Sequence, residues 1–254
     1  MTSLPSLPTP KKLGLVIDLD VCVGCHACVV NCKEWNTGGY GAALSDQDPY
    51  GAEVSGAWLN RVHTFEVVPG GGEVVGEAGD ARIVHFPKSC LHCEDAPCVT
   101  VCPTGASYKR ADDGIVLVDE AMCIGCGLCA WACPYGAREM DLAAGVMKKC
   151  TLCIDRIYNE TLEETDRQPA CVRTCPANAR HFGDLADPQS AVSVMVAERG
   201  GVDLMPEQGT RPVNKYLPPR ARTPLAESAG SLPAEDTAGA TGLFAWLDKM
   251  LDRV

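Results

Sequence analysis

Short apolar runs rich in β-branched residues recur along the first half of the chain, at residues 15–17, 83–86 and 115–118. Their composition and length are typical of short strands, and each run leads into a loop that contains several cysteines. Residues 107–110, followed by the glycine-containing turn at 111–114, predict an antiparallel hairpin with the third run. The pattern therefore predicts an α+β fold in which short strands lead into cysteine loops and short helices.

The pattern changes after residue 187. Asp187 offers an N-cap before Pro188, and Gly200 offers a stop, so the sequence predicts a helix over residues 188–199 within a helix and extended arm that reach residue 218. Residues 219–242 are rich in Ala, Pro, Gly, Ser and Thr, which predicts a flexible linker. Residues 243–254 predict an amphipathic helix, and because no core is evident for its apolar face, we expect it to dock on a partner.

Composition and charge narrow the class of protein. The 254 residues include sixteen cysteines but only four phenylalanines and four tryptophans, so something other than aromatic packing stabilises parts of the fold. A formal net charge of −11 disfavours nucleic acid and anionic lipid as direct partners. The sequence also has neither a secretory signal nor an apolar run long enough to span a bilayer. We therefore expect a cytoplasmic protein that reaches the inner membrane through another subunit, with co-export beside a signal-bearing partner as the alternative.

The cysteines form an internal repeat. Each of four groups ends in C-x3-C, and proline follows the last cysteine in three of them. The groups are Cys22, Cys25, Cys28 and Cys32; Cys90, Cys93, Cys98 and Cys102; Cys123, Cys126, Cys129 and Cys133; and Cys150, Cys153, Cys171 and Cys175.

This spacing is typical of iron–sulfur proteins. A C-x2-C-x2-C loop can supply three thiolates to one [4Fe-4S] cluster, and in two-cluster ferredoxins the cysteine three residues further on binds the other cluster. Sixteen cysteines divide into four sets of four, which predicts four such clusters. Two alternatives are a zinc-binding structural scaffold built on paired C-x2-C motifs, and histidine ligation by His26 or His92, which we interpret instead as spacers.

Other residues near the groups have predicted roles. Lys33, Arg138, Lys148 and Lys149 flank the cysteines and are expected to offset the negative charge of thiolate-bound clusters. The sequence has no dinucleotide-binding, P-loop or nucleophile-elbow motif, so we predict an electron-transfer role with no catalytic site of its own.

Across residues 13–190 the sequence resembles the iron–sulfur subunits of the dimethyl sulfoxide reductase family of molybdopterin oxidoreductases. The resemblance rests on the order of the groups, on the wider second group (CLHCEDAPCVTVCP) and on a fourth group that is split between KCTLCIDR and CVRTCP. It implies two interleaved bacterial-type double-cluster ferredoxin units with insertions and a C-terminal extension. One unit combines residues 13–35 with 146–187, the other is residues 82–140, and residues 36–81 are an insertion.

The resemblance also implies how the ligands are shared. We number the clusters accordingly: Cys22, Cys25, Cys28 and Cys175 for cluster 1; Cys32, Cys150, Cys153 and Cys171 for cluster 2; Cys90, Cys93, Cys98 and Cys133 for cluster 3; and Cys102, Cys123, Cys126 and Cys129 for cluster 4.

Partners follow from the same resemblance. It implies a molybdopterin-containing catalytic subunit next to cluster 1 and an integral membrane subunit that binds quinone next to cluster 4. The segments ARHFGDLADPQSAVS and GGVDLMPEQGTRPVNKYLPPR resemble the sulfite-oxidising branch. Polysulfide, tetrathionate, arsenate, dimethyl sulfoxide or formate chemistry, and a free polyferredoxin, are the alternatives.

Overall fold

A computed structural model describes residues 3–36, 57–67 and 82–220, which belong almost entirely to one unit, Met1–Pro219. Most of the insertion predicted at 36–81, nearly all of the linker predicted at 219–242 and the whole docking helix predicted at 243–254 lie outside the described residues. Those three predictions are therefore left as predictions.

The described residues fold into short strands and helices. The strands are β1 (Leu13–Asp18), β2 (Asn60–Val67), β3 (Arg82–Ser89), β4 (Ser107–Lys109), β5 (Val116–Val118), β6 (Glu139–Asp141), β7 (Val146–Lys148), β8 (Arg180–Asp184) and β9 (Lys215–Leu217). The helices are α1 (Ala27–Asn36), α2 (Pro97–Thr100), α3 (Leu128–Trp131), α4 (Ile154–Ile157), α5 (Ala170–Arg173) and α6 (Ala191–Arg199), with 3-10 turns at Glu164–Asp166 and Pro206–Gln208.

A three-stranded sheet brings together distant parts of the chain, in the order β8-β1-β9. β1 runs antiparallel to β8, with Leu15 opposite Phe182, and parallel to β9, with Ile17 opposite Tyr216. The sequence predicted only an extended arm here. The arm becomes a strand because Tyr216 is buried and stacks on Phe86 with 4.5 Å between ring centroids.

The described residues also form three two-stranded hairpins. The predicted hairpin is confirmed as β4–β5, in which Ser107 lies opposite Val118. The glycine-rich stretch at residues 69–72 predicts a second hairpin; β2 and β3, on either side of it, pair Asn60 with Ser89, and the turn itself lies outside the described residues. The third hairpin, β6–β7, pairs Glu139 with Lys148 and was not predicted. The three apolar runs are confirmed as strand residues, in β1, β3 and β5, although Ile115 itself lies just before β5.

The predicted helix near residue 190 begins later than expected. The N-cap of α6 is Ser190, whose Oγ accepts a hydrogen bond from the Ser193 N–H at 3.2 Å. The Asp187 carboxylate instead accepts from the Gln189 N–H at 2.8 Å and closes a turn around Pro188. The predicted end is confirmed, because Gly200 caps the helix in the left-handed conformation.

The helices that carry cysteines pack in two pairs, α1 with α5 and α2 with α3. A common apolar core, which includes Leu15, Leu91, Ile115 and Leu152, lies beneath the cysteine loops. Within the described ranges, no helix combines the length and the apolar composition that crossing a bilayer requires.

Candidate iron–sulfur sites

In each of the four cysteine groups, the second spacer residue of the first C-x2-C has a left-handed backbone. Gly24 (φ 66°) and Gly125 (φ 67°) hold this position in the first and third groups, and His92 (φ 50°) and Leu152 (φ 55°) hold it in the other two. A side chain in this conformation costs about 1–2 kcal/mol. Burial of His92 and Leu152 in the core offsets that cost, so the curled loop forms with or without glycine.

Three cavities are each lined by four cysteines. Their empty volumes are nearly equal, at about 320, 330 and 330 Å³, although different loops build them. Four thiols around one cavity are the donor set that a [4Fe-4S] cluster needs. The cysteines that line them are Cys102, Cys123, Cys126 and Cys129; Cys90, Cys93, Cys98 and Cys133; and Cys22, Cys25, Cys28 and Cys175.

The remaining four cysteines are all buried: Cys32, Cys150, Cys153 and Cys171. Burial raises the pKa of the Cys32 thiol well above its usual value, and the nearby Cys150, Cys171 and Cys153 raise it further. The Asn36 amide links two members of this quartet, because its Nδ2 lies 3.6 Å from the Sγ atoms of both Cys32 and Cys153. Sequence reasoning did not identify Asn36, which follows Cys32 by one helical turn.

In every group the cysteine that begins the C-x3-C lies in a helix. Cys28, Cys98, Cys129 and Cys171 lie in α1, α2, α3 and α5, so each packed helix pair brings two of them close together. The last cysteine of the second, third and fourth groups lies just beyond its helix. That position lets it face a different cavity from the cysteines before it.

Four buried or half-buried thiols favour their protonated form when no metal is bound. Burial raises the pKa of Cys93 to about 12, and it raises those of Cys150, Cys153 and Cys171 to about 11. Iron binds thiolate, so loading these sites releases protons. Backbone N–H groups already point at some sulfurs, as from Ala179 to Cys175 Sγ at 3.2 Å.

The predicted flanking cations divide into two kinds. Lys148 pairs with Glu120 at 2.7 Å, and Lys33 lies over the Trp58 ring and donates to a backbone carbonyl. Arg138 and Lys149 are buried as Lys33 is, but they donate hydrogen bonds to residues of the cysteine groups, as does Arg180, which sequence reasoning missed. The signal that could have found it is a repeat: CPYGAR ends at Arg138 and CPANAR ends at Arg180.

His92 does not line the cavity of its group, and His26 lines the cavity of the first group beside four cysteines that already supply its thiols. His92 is fully buried, and its Nδ1 accepts a hydrogen bond from the Val116 N–H at 3.1 Å. Burial lowers the pKa of His92 well below its usual value, and the nearby cations Lys149, Lys109 and Arg138 lower it further. His92 is therefore a neutral structural residue, and His26 is exposed.

The donor sets fit a cluster and do not fit a single ion. In a tetrahedral zinc site four sulfurs converge to about 2.3 Å from one metal. Among the described residues, no three His, Cys, Asp or Glu side chains are grouped in that way. Four thiols spaced around a cavity match the wider [4Fe-4S] group, which the same cysteine spacing predicted.

Comparisons with known proteins agree with this geometry. One family model, described as a 4Fe-4S dicluster domain, matches residues 81–185, and a second with the same description matches residues 21–106. A sulfite dehydrogenase subunit of Allochromatium vinosum is 62% identical over 209 residues, which cover 82% of this chain and 84% of that protein. This protein belongs to the iron–sulfur subunits of the dimethyl sulfoxide reductase family.

Two further relatives in this family act on other sulfur compounds, by their names. A tetrathionate reductase subunit of Salmonella typhimurium is 35% identical over 81% of this chain and 72% of its own length. A polysulfide reductase chain of Wolinella succinogenes is 34% identical over 80% of this chain and 92% of its own. With two dicluster domains, the protein described here binds four [4Fe-4S] clusters, and the zinc scaffold is not supported.

Proposed function

We propose that this chain, without a catalytic site of its own, carries electrons from a molybdopterin-containing subunit that oxidises sulfite to an integral membrane subunit that reduces quinone. The identity of 62% to a sulfite dehydrogenase subunit, over most of both chains, favours sulfite over the other sulfur substrates. The complex would lie on the cytoplasmic side of the inner membrane. Clusters would supply the one-electron steps, and this chain would hold them in sequence.

The observation that carries the proposal is how cysteines from different groups meet. Each quartet of neighbouring thiols takes three members from one group and its fourth from another, as where Cys175 joins the first group around one cavity. The proposed ligand sets of clusters 1, 3 and 4 coincide with the three cavities, and the buried quartet supplies cluster 2. Two interleaved double-cluster units account for this exchange, one on the α1–α5 pair and one on the α2–α3 pair.

Proximity between quartets supports the order 1-2-3-4. The Cys28 thiol raises the pKa of Cys171, which links clusters 1 and 2, and Cys90 raises that of Cys150, which links clusters 2 and 3; in both cases burial is the larger cause. Clusters 3 and 4 meet where α2 packs on α3. Electrons that enter at cluster 1 would therefore pass through every cluster.

The exposure of two cysteines supports clusters 1 and 4 as the two ends of this series. Cys25 and Cys126, the second cysteines of the first and third groups, are the only exposed ones of the sixteen, all of which the structure describes. Apolar side chains around the third group are open to solvent, with Trp131 91% and Leu142 88% exposed. An exposed apolar rim beside cluster 4 suits a subunit interface.

Two matched variants test the direction of transfer. In the purified complex, Cys126→Ser should abolish quinone reduction. Sulfite should still reduce clusters 1–3 in this variant, to the extent that it reduces them in the unaltered complex. Cys25→Ser should leave clusters 2–4 unreduced by sulfite. An artificial acceptor that takes electrons upstream should still support sulfite oxidation in the Cys126→Ser complex.

The outcomes separate the parts of the proposal. If Cys25→Ser and Cys126→Ser each show the phenotype expected of the other, electrons enter at cluster 4 and leave at cluster 1. If the unaltered complex does not oxidise sulfite but oxidises or reduces another substrate, the substrate is wrong and the electron-transfer role stands.

A further inference from the structure

Several buried cations lie near the cysteine quartets without a carboxylate within ion-pair distance among the described residues: Lys109 donates to the Cys93 carbonyl beside one quartet, and three others lie between quartets. Arg180, Lys149 and Arg138 are 1%, 3% and 6% exposed. Among the residues that the structure describes, none of the three lies within ion-pair distance of an Asp or Glu. A buried charge without a partner is costly, so the negative charge that balances these cations must come from something else nearby.

Arg180 contacts the quartets of clusters 1 and 2. Its side chain lines the cavity of Cys22, Cys25, Cys28 and Cys175. Its Nη1 lies 3.6 Å from Cys171 Sγ, a proposed ligand of cluster 2. Nη2 donates to Asn60 Oδ1 at 2.7 Å, and the buried Nε has no partner in the part of the chain that the structure describes. The guanidinium is thus fixed between two thiol sets with one donor still unused.

Arg138 occupies the equivalent place between clusters 3 and 4. It lines the cavity of Cys90, Cys93, Cys98 and Cys133, and its Nη2 donates to Cys98 Sγ at 3.0 Å and to Ser107 Oγ at 2.7 Å. Burial raises the pKa of Cys129, a proposed ligand of cluster 4, and the nearby charge of Arg138 lowers it. Its buried Nη1 has no partner.

The two arginines are related by the internal repeat. Each follows the last cysteine of its group by five residues, in CPYGAR and CPANAR. Each arginine also follows one helix of a packed pair and lies near a cysteine of both helices. These cysteines are Cys28 and Cys171 for Arg180, and Cys98 and Cys129 for Arg138. The second group, CPTGAS, has Ser107 at this position, and Ser107 accepts a hydrogen bond from Arg138.

Lys149 lies between the two helix pairs. Its Nζ donates to the carbonyl of Cys150, a proposed ligand of cluster 2, and to the carbonyl of Val116, which lines the cavity of cluster 3. Its charge also lowers the pKa of both Cys150 and Cys98, although burial, the larger cause, raises each.

We propose that one buried cation occupies each of the three junctions between successive clusters, Arg180 at 1/2, Lys149 at 2/3 and Arg138 at 3/4, and raises the reduction potentials of the two clusters it joins. The inference rests on the cluster assignment proposed above. Adding an electron makes a thiolate-bound cluster more negative, and in a buried setting a neighbouring cation stabilises that charge strongly. These are positioning residues: they favour reduction of two neighbours together and carry no electrons themselves.

The test measures potentials in the intact complex, with the four cluster signals assigned beforehand from single Cys→Ser variants. Arg180→Met should lower the reduced-to-oxidised ratio of clusters 1 and 2 at a fixed solution potential by tenfold or more, which is 59 mV for a one-electron couple. Arg138→Met should do the same for clusters 3 and 4. In each variant, the two clusters that should not shift are the internal control. The potentials are measured by redox titration with electron paramagnetic resonance.

Asn36→Leu is a matched control that removes a neutral donor near one quartet, so it should affect cluster 2 alone. Arg180→Lys keeps the charge and should restore most of the ratio lost in Arg180→Met. If Arg180→Met does not retain iron, Arg180→Gln is titrated by the same criterion. Unchanged potentials in a variant with full iron content would overturn the proposal, as would an equal shift of all four clusters or no restoration by lysine.

The cluster assignment can fail separately. If Arg180→Met shifts two clusters but one of them is the cluster lost in Cys126→Ser, then the assignment of ligands is wrong while the role of the cation holds.

Discussion

Gly125 and Gly127 both lie in the third cysteine group. Together they allow the effect of free space in a cluster loop to be separated from the effect of backbone conformation. Both have a left-handed backbone, with φ of 67° and 77°. A Cβ built on Gly125 would lie 2.5 Å from the carbonyl oxygen of Gly145, at the end of the β6–β7 hairpin, whereas a Cβ on Gly127 would meet nothing within 4 Å. The two Gly→Ala changes therefore share a conformational cost and differ in the space available.

The difference can be given a magnitude. Alanine in the left-handed region costs about 1–2 kcal/mol, and overpacking costs about 1–3 kcal/mol more. Gly127→Ala should therefore cost about 1–2 kcal/mol, and Gly125→Ala about 2–5 kcal/mol. Because the atom in the way is backbone, the clash is relieved only by moving the hairpin or the loop, and the loop carries Cys123 and Cys126.

We expect Gly125→Ala to lose cluster 4 and so to fall from about sixteen irons per chain to about twelve. Gly127→Ala should keep its iron and melt about 2–8 °C lower. Anaerobic iron and acid-labile sulfide analysis, with thermal unfolding followed by circular dichroism, measures both quantities. Full iron content in Gly125→Ala, with a melting temperature equal to that of Gly127→Ala, would refute the steric reasoning.

Three further predictions follow from the ligand sets and the sequence. Cys175→Ser should alter the cluster held by Cys22, Cys25 and Cys28, and an altered cluster 2 with cluster 1 unchanged in its resonance spectrum would contradict crossed ligation. Chelation of the iron should unfold much of the chain, because the clusters tie distant segments together; circular dichroism that stays native after complete iron removal would be inconsistent with this. Deletion of residues 240–254 should weaken co-purification with the partner subunits at unchanged iron content, and undiminished co-purification would argue against a docking helix.

Local signals in the sequence determined a large part of this protein. The cysteine spacing predicted the cofactor, because the thiolates of a C-x2-C-x2-C loop reach one cluster within a few residues. The β4–β5 hairpin was predicted from its glycine-containing turn, and the end of α6 from Gly200, since both depend on backbone preferences of adjacent residues.

Only the tertiary structure decided which distant segments contact each other. It joins β1 to β8 and β9, which lie more than half the chain away, because the β1 residues Leu15, Val16 and Ile17 need burial on both faces of the sheet. It brings Cys175 to the cavity of the first group, and it buries Arg180 between two quartets. The sequence reports which residues can bind a cluster or bear a charge. The packing of α1 on α5 and of α2 on α3 decides which of them meet, because contacts between distant residues depend on how whole elements are buried against one another.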